Sequence, residues 1–144
     1  MNLYLDTSAL MKLYLEEPES DVVRASIAAA DACVTSVAAY PEARAGLAAA
    51  GRDRRLDRRG LARAVEALDA DWATLGAFGL TCELALAAGA LAQQYQLRGY
   101  DSVHLATYLH IARGKAGELG FLCFDRGLSR AAAIALRQFV AGND

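Results

Sequence analysis

The chain's 144 residues predict an α/β domain, a mostly parallel sheet flanked by helices. Three observations carry that expectation. Short apolar runs at Asn2–Leu5, Ala32–Thr35 and Gly120–Phe124 alternate with longer stretches whose apolar residues recur at helical spacing. No Pro- or Ser-rich linker, internal repeat or low-complexity tract beyond alanine enrichment divides the chain, so residues 1–144 read as one domain. Hydrophobic residues make up 55% of it, many of them alanine, which suits helices packed closely on a sheet.

The elements follow in order. Asn2–Leu5 reads as a buried strand ending at Asp6. Thr7 or Ser8 can then cap a helix carrying Leu10, Leu13 and Tyr14, closed near Pro18. Tyr4 with those three forms a stripe expected in the core. A helix over Glu19–Ala30 places Val22, Val23, Ile27 and Ala30 on one side, with small Ser26 among them. Ala32–Thr35 is the second strand, and Ser36 is a candidate N-cap for a helix running to about Arg55 with Pro41 near its start. Asp57 can cap a further helix to Asp69, burying Leu61, Val65 and Leu68. A short strand is expected within Trp72–Leu80. Thr81 starts an alanine-rich helix through Gln96, Gly99 closes the next loop, and Tyr100–Arg113 is again helical. After the strand Gly120–Phe124, a helix covers Leu128–Leu136 and Phe139–Val140 is expected as an edge strand.

Bulk properties exclude several functions. A formal net charge of −2 argues against a simple basic coat for nucleic acid. Cys33, Cys82 and Cys123 are odd in number and form no CxxC pair, so buried, reduced thiols are expected, not a disulfide frame or zinc site. The N-terminal segment has no basic leader, and acids interrupt it far short of a spanning length, so the expected setting is the cytoplasm without a membrane.

Function is read from the acids. Asp6 and Asp125 each stand where an apolar run meets a helix. Either alone could simply cap its helix. Parallel strands, however, put both at the same edge of the sheet, where sites of such folds form. Converging carboxylates repel unless a cation lies between them, and an all-oxygen cluster suits Mg²⁺ or Mn²⁺. Glu42 and Asp101 stand near the starts of two other helices, where a surface position is equally compatible with the pattern.

The words YLDTSALMKLY, YPEARAGLAAA, LRGYDSVHLATYL and CFDRGLSRAA resemble, in order and spacing, the four acidic motifs of PIN-domain ribonucleases, and most nearly those of the VapC toxins of bacterial toxin–antitoxin pairs. The resemblance spans nearly the whole chain and implies a PIN-like fold with metal-dependent endoribonuclease activity. It makes Asp6 and Asp101 central ligands for Mg²⁺ or Mn²⁺, Glu42 the second acid, and Asp125 a fourth acting through water, with Ser8 close by. A metal so held would activate a water for in-line attack on an RNA phosphodiester. The implied partners are the RNA substrate, a VapB-type antitoxin whose C-terminal part reaches toward the acids with a basic side chain, and a second copy in a homodimer. A PIN ribonuclease of RNA processing that is not a toxin remains an alternative. Two departures stand out. Pro41 precedes the second acid, and Cys123 replaces the Thr or Ser often found two residues before the last, which predicts that a polar interaction is missing there.

Other groups carry less. His104 is expected to be a hydrogen-bonded structural residue and His110 exposed. Ser8 and Ser102 have no evident His partner for a serine hydrolase, and no phosphate-cradling glycine motif occurs. A phospho-receiver would need paired acids after the first strand and a late lysine, but Thr7 follows Asp6 and Arg126 follows Asp125. From Arg44 to Arg63, seven arginines face only Asp53 and Asp57. They are either a solvated helix surface or an arm for phosphate or a partner, with Arg52, Arg55 and Arg59 as candidate contacts to RNA or antitoxin; the resemblance places the antitoxin groove on the same helices.

Overall fold

The apolar runs assemble into one parallel sheet. The computed structural model describes residues 1–113 and 117–141, with side chains described through residue 138. In chain order the elements are β1 (Asn2–Leu5), α1 (Thr7–Met11), α2 (Ser20–Ala29), β2 (Cys33–Ser36), α3 (Ala39–Arg52), α4 (Arg58–Trp72), β3 (Gly76–Phe78), α5 (Cys82–Tyr95), α6 (Gly99–Ala112), β4 (Leu119–Leu122) and α7 (Arg126–Ala141). The strand order is β3-β2-β1-β4, and every pairing among the described residues is parallel.

β1 lies inside the sheet, with Tyr4 opposite Val34 on one side and Phe121 on the other. Its Leu3, Tyr4 and Leu5 are all buried, which is why it reads as a continuous apolar run with no alternation. Successive side chains still point to opposite faces. Tyr4 packs with Leu105 and Tyr108 of α6 and with Leu128, Ala131, Ala132 and Ala135 of α7. Leu3 and Leu5 pack with Ala9, Ile27 and Leu122 across the sheet. A second layer joins Leu10, Ala43, Leu47, Ala64 and Leu68 of α1, α3 and α4. That layer fixes where the α3–α4 hairpin leaves the body of the domain.

Asp57 and Thr81 cap α4 and α5 as expected, accepting from Gly60 and Leu84 backbone nitrogens at 2.6 and 3.2 Å. Several expectations need correcting. Asp6, and not Thr7 or Ser8, caps α1, because its carboxylate reaches the Ala9 nitrogen at 2.9 Å. Ser36 does not cap α3; its hydroxyl accepts from Ala38, and Ala38 begins the helix without a side-chain cap. Pro41 sits in the first turn of α3, where its missing N–H costs no helical bond. The helix expected up to Pro18 stops at Met11, and turns follow in which buried Lys12 donates to the Pro18 carbonyl at 2.8 Å. Val22, expected inward, is exposed. Trp72 belongs to α4, not to the strand after it. Phe139–Val140 is no edge strand: the period set by Leu128, Ala131, Ala132 and Ala135 carries α7 through both positions, with neither Gly nor Pro to stop it.

Candidate functional site

Asp6 and Asp125 follow β1 and β4, which are paired and parallel, so both carboxylates emerge at one edge of the sheet. Glu42 in the first turn of α3 and Asp101 in the first turn of α6 approach the same edge. All four line one cleft of about 470 Å³ together with Thr7, Ser8, Met11, Gly46, Arg98 and His104. Gly46 permits the close approach of α1 to α3 there, since a Cβ at this position would come within 2.9 Å of the Met11 methyl carbon. Helix N-termini also favour negative charge, so the chain has several sources of positive potential aimed at the acids.

Each acid is held differently. Asp6 is buried, with Oδ1 accepting from the Ala9 nitrogen and the Ser8 hydroxyl directed at both its oxygens, at 2.7 and 2.9 Å. Ser8 in turn accepts from the Phe124 nitrogen at 2.8 Å, tying α1 to the end of β4. The polar interaction expected to be missing at Cys123 is present through sulfur: its thiol donates to Asp6 Oδ2 at 3.1 Å. Burial, the charge of Asp6 and that hydrogen bond push the thiol up to about 12, so it stays a donor. The thiols are not uniformly buried, for Cys82 is exposed and Cys33 and Cys123 are half-buried.

Asp125 caps α7 through Oδ1, which accepts from Leu128 at 2.8 Å. Each strand-end acid therefore caps a helix and also lines the cleft. Asp101 accepts from Arg98 Nε at 2.8 Å, and the same guanidinium reaches Asp125 at 3.4 Å.

Glu42 belongs to a buried network. The Thr7 hydroxyl donates to its Oε1 at 2.6 Å, and His104 Nε2 stands 3.0 Å from that oxygen and 2.9 Å from Thr7 Oγ1. The Tyr4 hydroxyl lies 2.9 Å from His104 Nδ1. Glu42 can only accept and Thr7 has already given its proton, so Nε2 carries the ring proton and Nδ1 accepts from Tyr4. Burial holds the Tyr4 phenol far above its usual value, which keeps it a donor. His104 thus fills the hydrogen-bonded structural place expected of it, and His110 is exposed.

Sequence reasoning missed Arg98 and Thr7. Arg98 sits three residues before Asp101, inside the third acidic word, and that helical spacing is the signal that could have found it. Thr7 reads in the sequence only as a cap. Arg52, Arg55 and Arg59 are exposed and none of them lines the cleft. Arg55 pairs with Glu17 at 2.6 Å, and Arg44 donates to the Tyr40 hydroxyl at 2.8 Å.

The donor set fits a hard divalent cation. Four carboxylates and the hydroxyls of Thr7 and Ser8 meet a single lining arginine, while the nitrogens of His104 are already engaged by Tyr4, Thr7 and Glu42, which leaves oxygen donors for a cation. Among the described residues no three His, Cys, Asp or Glu side chains already stand at ligating separation. Arg98 spans two of the acids, while Thr7 and His104 hold the third.

Comparison with known proteins identifies the family. Ribonuclease VapC45 of Mycobacterium tuberculosis is 40% identical over 109 residues, 76% of each chain. The crystal structure of Mycobacterium tuberculosis VapC20, described as a Sarcin-Ricin loop cleaving toxin, superposes with a TM-score of 0.66 at 19% identity, covering 90% of this chain and 94% of that one. VapBC2 from Rickettsia felis, solved with a DNA fragment from its promoter, gives a TM-score of 0.57 at 12% identity over 87% of this chain and all of that one. These two likenesses concern the fold. With the PIN domain matching residues 3–134, the chain belongs to the PIN domain family, among relatives that are VapC ribonucleases.

Proposed function

We propose that this chain is the endoribonuclease toxin of a toxin–antitoxin pair and hydrolyses RNA phosphodiesters at the cleft formed by Asp6, Glu42, Asp101 and Asp125. The observation that carries the site assignment is the meeting of four acids from four separate elements at one sheet edge. Asp6 and Asp101 would hold the divalent ion, with Glu42 and Asp125 completing the acid shell; an all-oxygen set favours Mg²⁺ or Mn²⁺. Bound there, the ion supplies Lewis acidity toward phosphate and a more acidic water.

The chain's own residues do the rest. Ser8 and the Ala9 nitrogen fix the rotamer of Asp6, so little reorganisation is needed on binding. The Thr7–His104–Tyr4 network orients Glu42 and leaves its second oxygen free to accept a proton from water. The cleft is open to a strand of RNA on the side of exposed Arg98.

The VapB-type antitoxin is the proposed partner, reasoned from the VapC relatives. A homodimer is supported by an apolar groove of about 560 Å³ between α5 and α6, beside exposed Leu80 and Leu86. No described helix is long and apolar enough to cross a membrane, and we place the protein in the cytoplasm with its RNA substrate.

Purified protein should cut single-stranded RNA with Mg²⁺ or Mn²⁺ and stop in EDTA. Expressed without its partner it should arrest growth, whereas an Asp6→Asn form should not. Equal cleavage in EDTA by protein free of contaminating nuclease would end the metal-dependent reading. Normal growth on well-expressed active protein would end the toxin reading and leave the nuclease.

A further inference from the structure

A single guanidinium clasps two acids that the fold brings together from distant parts of the chain. Arg98 begins α6 without capping it, and its side chain is 78% exposed. Nε donates to Asp101 at 2.8 Å and Nη2 to Asp125 at 3.4 Å. Asp101, Asp125 and Glu42 all draw its pKa upward, so three of the four acids act on this one cation. No other Lys or Arg among the described residues lines the cleft.

Two physical facts bear on that clasp. An ion pair this exposed is screened and weakly held, so a divalent ion, with twice the charge at the same carboxylates, displaces it readily. A freed guanidinium on a long, solvent-facing stem then stands at the mouth of a site that must receive phosphate. Its planar fork matches two phosphate oxygens.

We propose that Arg98 is a two-position residue: it clasps Asp101 and Asp125 until a divalent ion takes those carboxylates, then turns outward to hold a phosphate of the RNA strand. This rests on the metal-dependent nuclease reading above. Metal and RNA are thereby coupled through one side chain, and the coupling is reciprocal: each ligand favours the arrangement the other needs. Arg98 weakens metal binding in the absence of RNA and, once displaced, joins the substrate contacts.

The test uses Arg98→Gln and Arg98→Lys in the full chain, with Mn²⁺ binding read from the loss of the free-ion paramagnetic signal. RNA binding is read separately, from the stopped-flow anisotropy amplitude before cleavage begins. Arg98→Gln should bind Mn²⁺ about 5-fold or more tightly than wild type, because its competitor is gone. The same variant should bind RNA several-fold more weakly in Mn²⁺ yet match wild type in EDTA. Arg98→Lys, which keeps the charge but loses the fork, should fall between them in both measurements. Mn²⁺ affinity unchanged or weakened by Arg98→Gln would overturn the inference, as would an equal RNA deficit with and without metal. If wild type takes up no Mn²⁺, the nuclease reading falls and takes this inference with it.

Discussion

The acid cleft and the tip of the α3–α4 hairpin are both concentrations of like charge, and the fold treats them in opposite ways. In the cleft, four carboxylates from β1, α3, α6 and β4–α7 are drawn together, and each is pinned by hydrogen bonds. At the hairpin, Arg52, Arg55 and Arg59 point into solvent, and Arg55 is satisfied by Glu17. Repulsion that is relieved by spreading charge into water needs no further explanation. Repulsion maintained by an apolar scaffold does, and the cation proposed for the cleft would supply the reason. The arginines are close together in sequence, whereas the acids come together only in space.

That contrast can be broken first at the acids. Asp6→Asn or Asp101→Asn should lower RNA cleavage by about 100-fold or more, with circular dichroism unchanged. Loss of activity together with loss of fold would return Asp6 to a purely structural capping role.

Beneath the cleft, His104→Ala strands the buried Tyr4 hydroxyl and frees Glu42. It should cost about 1–3 kcal/mol in urea unfolding, whereas Arg59→Ala at the exposed hairpin should stay within about 0.5 kcal/mol. Similar costs at the two positions would mean the buried network is not holding Glu42.

At the hairpin, Arg52, Arg55 and Arg59 changed together to Gln should flatten the salt dependence of RNA binding by about 0.7 in log–log slope for each phosphate no longer neutralised. Arg52 ends α3 about 15 Å along the helix axis from Glu42, within reach of a bound strand. Arg55→Gln alone should change the slope least, since that side chain is engaged by Glu17. An unchanged slope in the triple variant would make the arginines a solvated face and nothing more.

The smallest effect concerns the thiols. With Cys123 pushed up to about 12 and Cys82 exposed, iodoacetamide at pH 8 should modify Cys82 first. The sign for stability follows from the raised pKa. The Cys123 contribution is complete below the ordinary thiol value near 9 and is lost as pH rises from there toward 12. Wild type should therefore lose stability over that window relative to Cys123→Ser.

What could be read from the sequence divides along the same line. Asp6 was legible because a buried parallel strand is a continuous apolar run and the acid that ends it marks the sheet edge; Asp125 follows a similar run, although its half-buried edge strand ends at Leu122. Asp57 and Thr81 were legible as caps because capping is local chemistry. The contact of Arg98 with Asp125 was not, since the two are 27 residues apart and meet only in the folded chain. The Tyr4–His104–Thr7–Glu42 chain was hidden for the same reason, spanning β1, α1, α3 and α6. Phe139–Val140 misled because a short apolar, β-branched pair has strand character by itself, and only the period of α7 upstream overrides it.

The central claim is that the four acids form one divalent-ion site, and direct metal binding tests it without relying on catalysis. Mn²⁺ titrated into wild type, Asp6→Asn, Asp101→Asn and the triple Arg52, Arg55 and Arg59→Gln variant can be followed by the free-ion paramagnetic signal. Wild type and the arginine variant should take up the ion with similar affinity, and both Asn variants should bind it at least about 10-fold more weakly. Equal Mn²⁺ binding by wild type and both Asn variants would contradict the account.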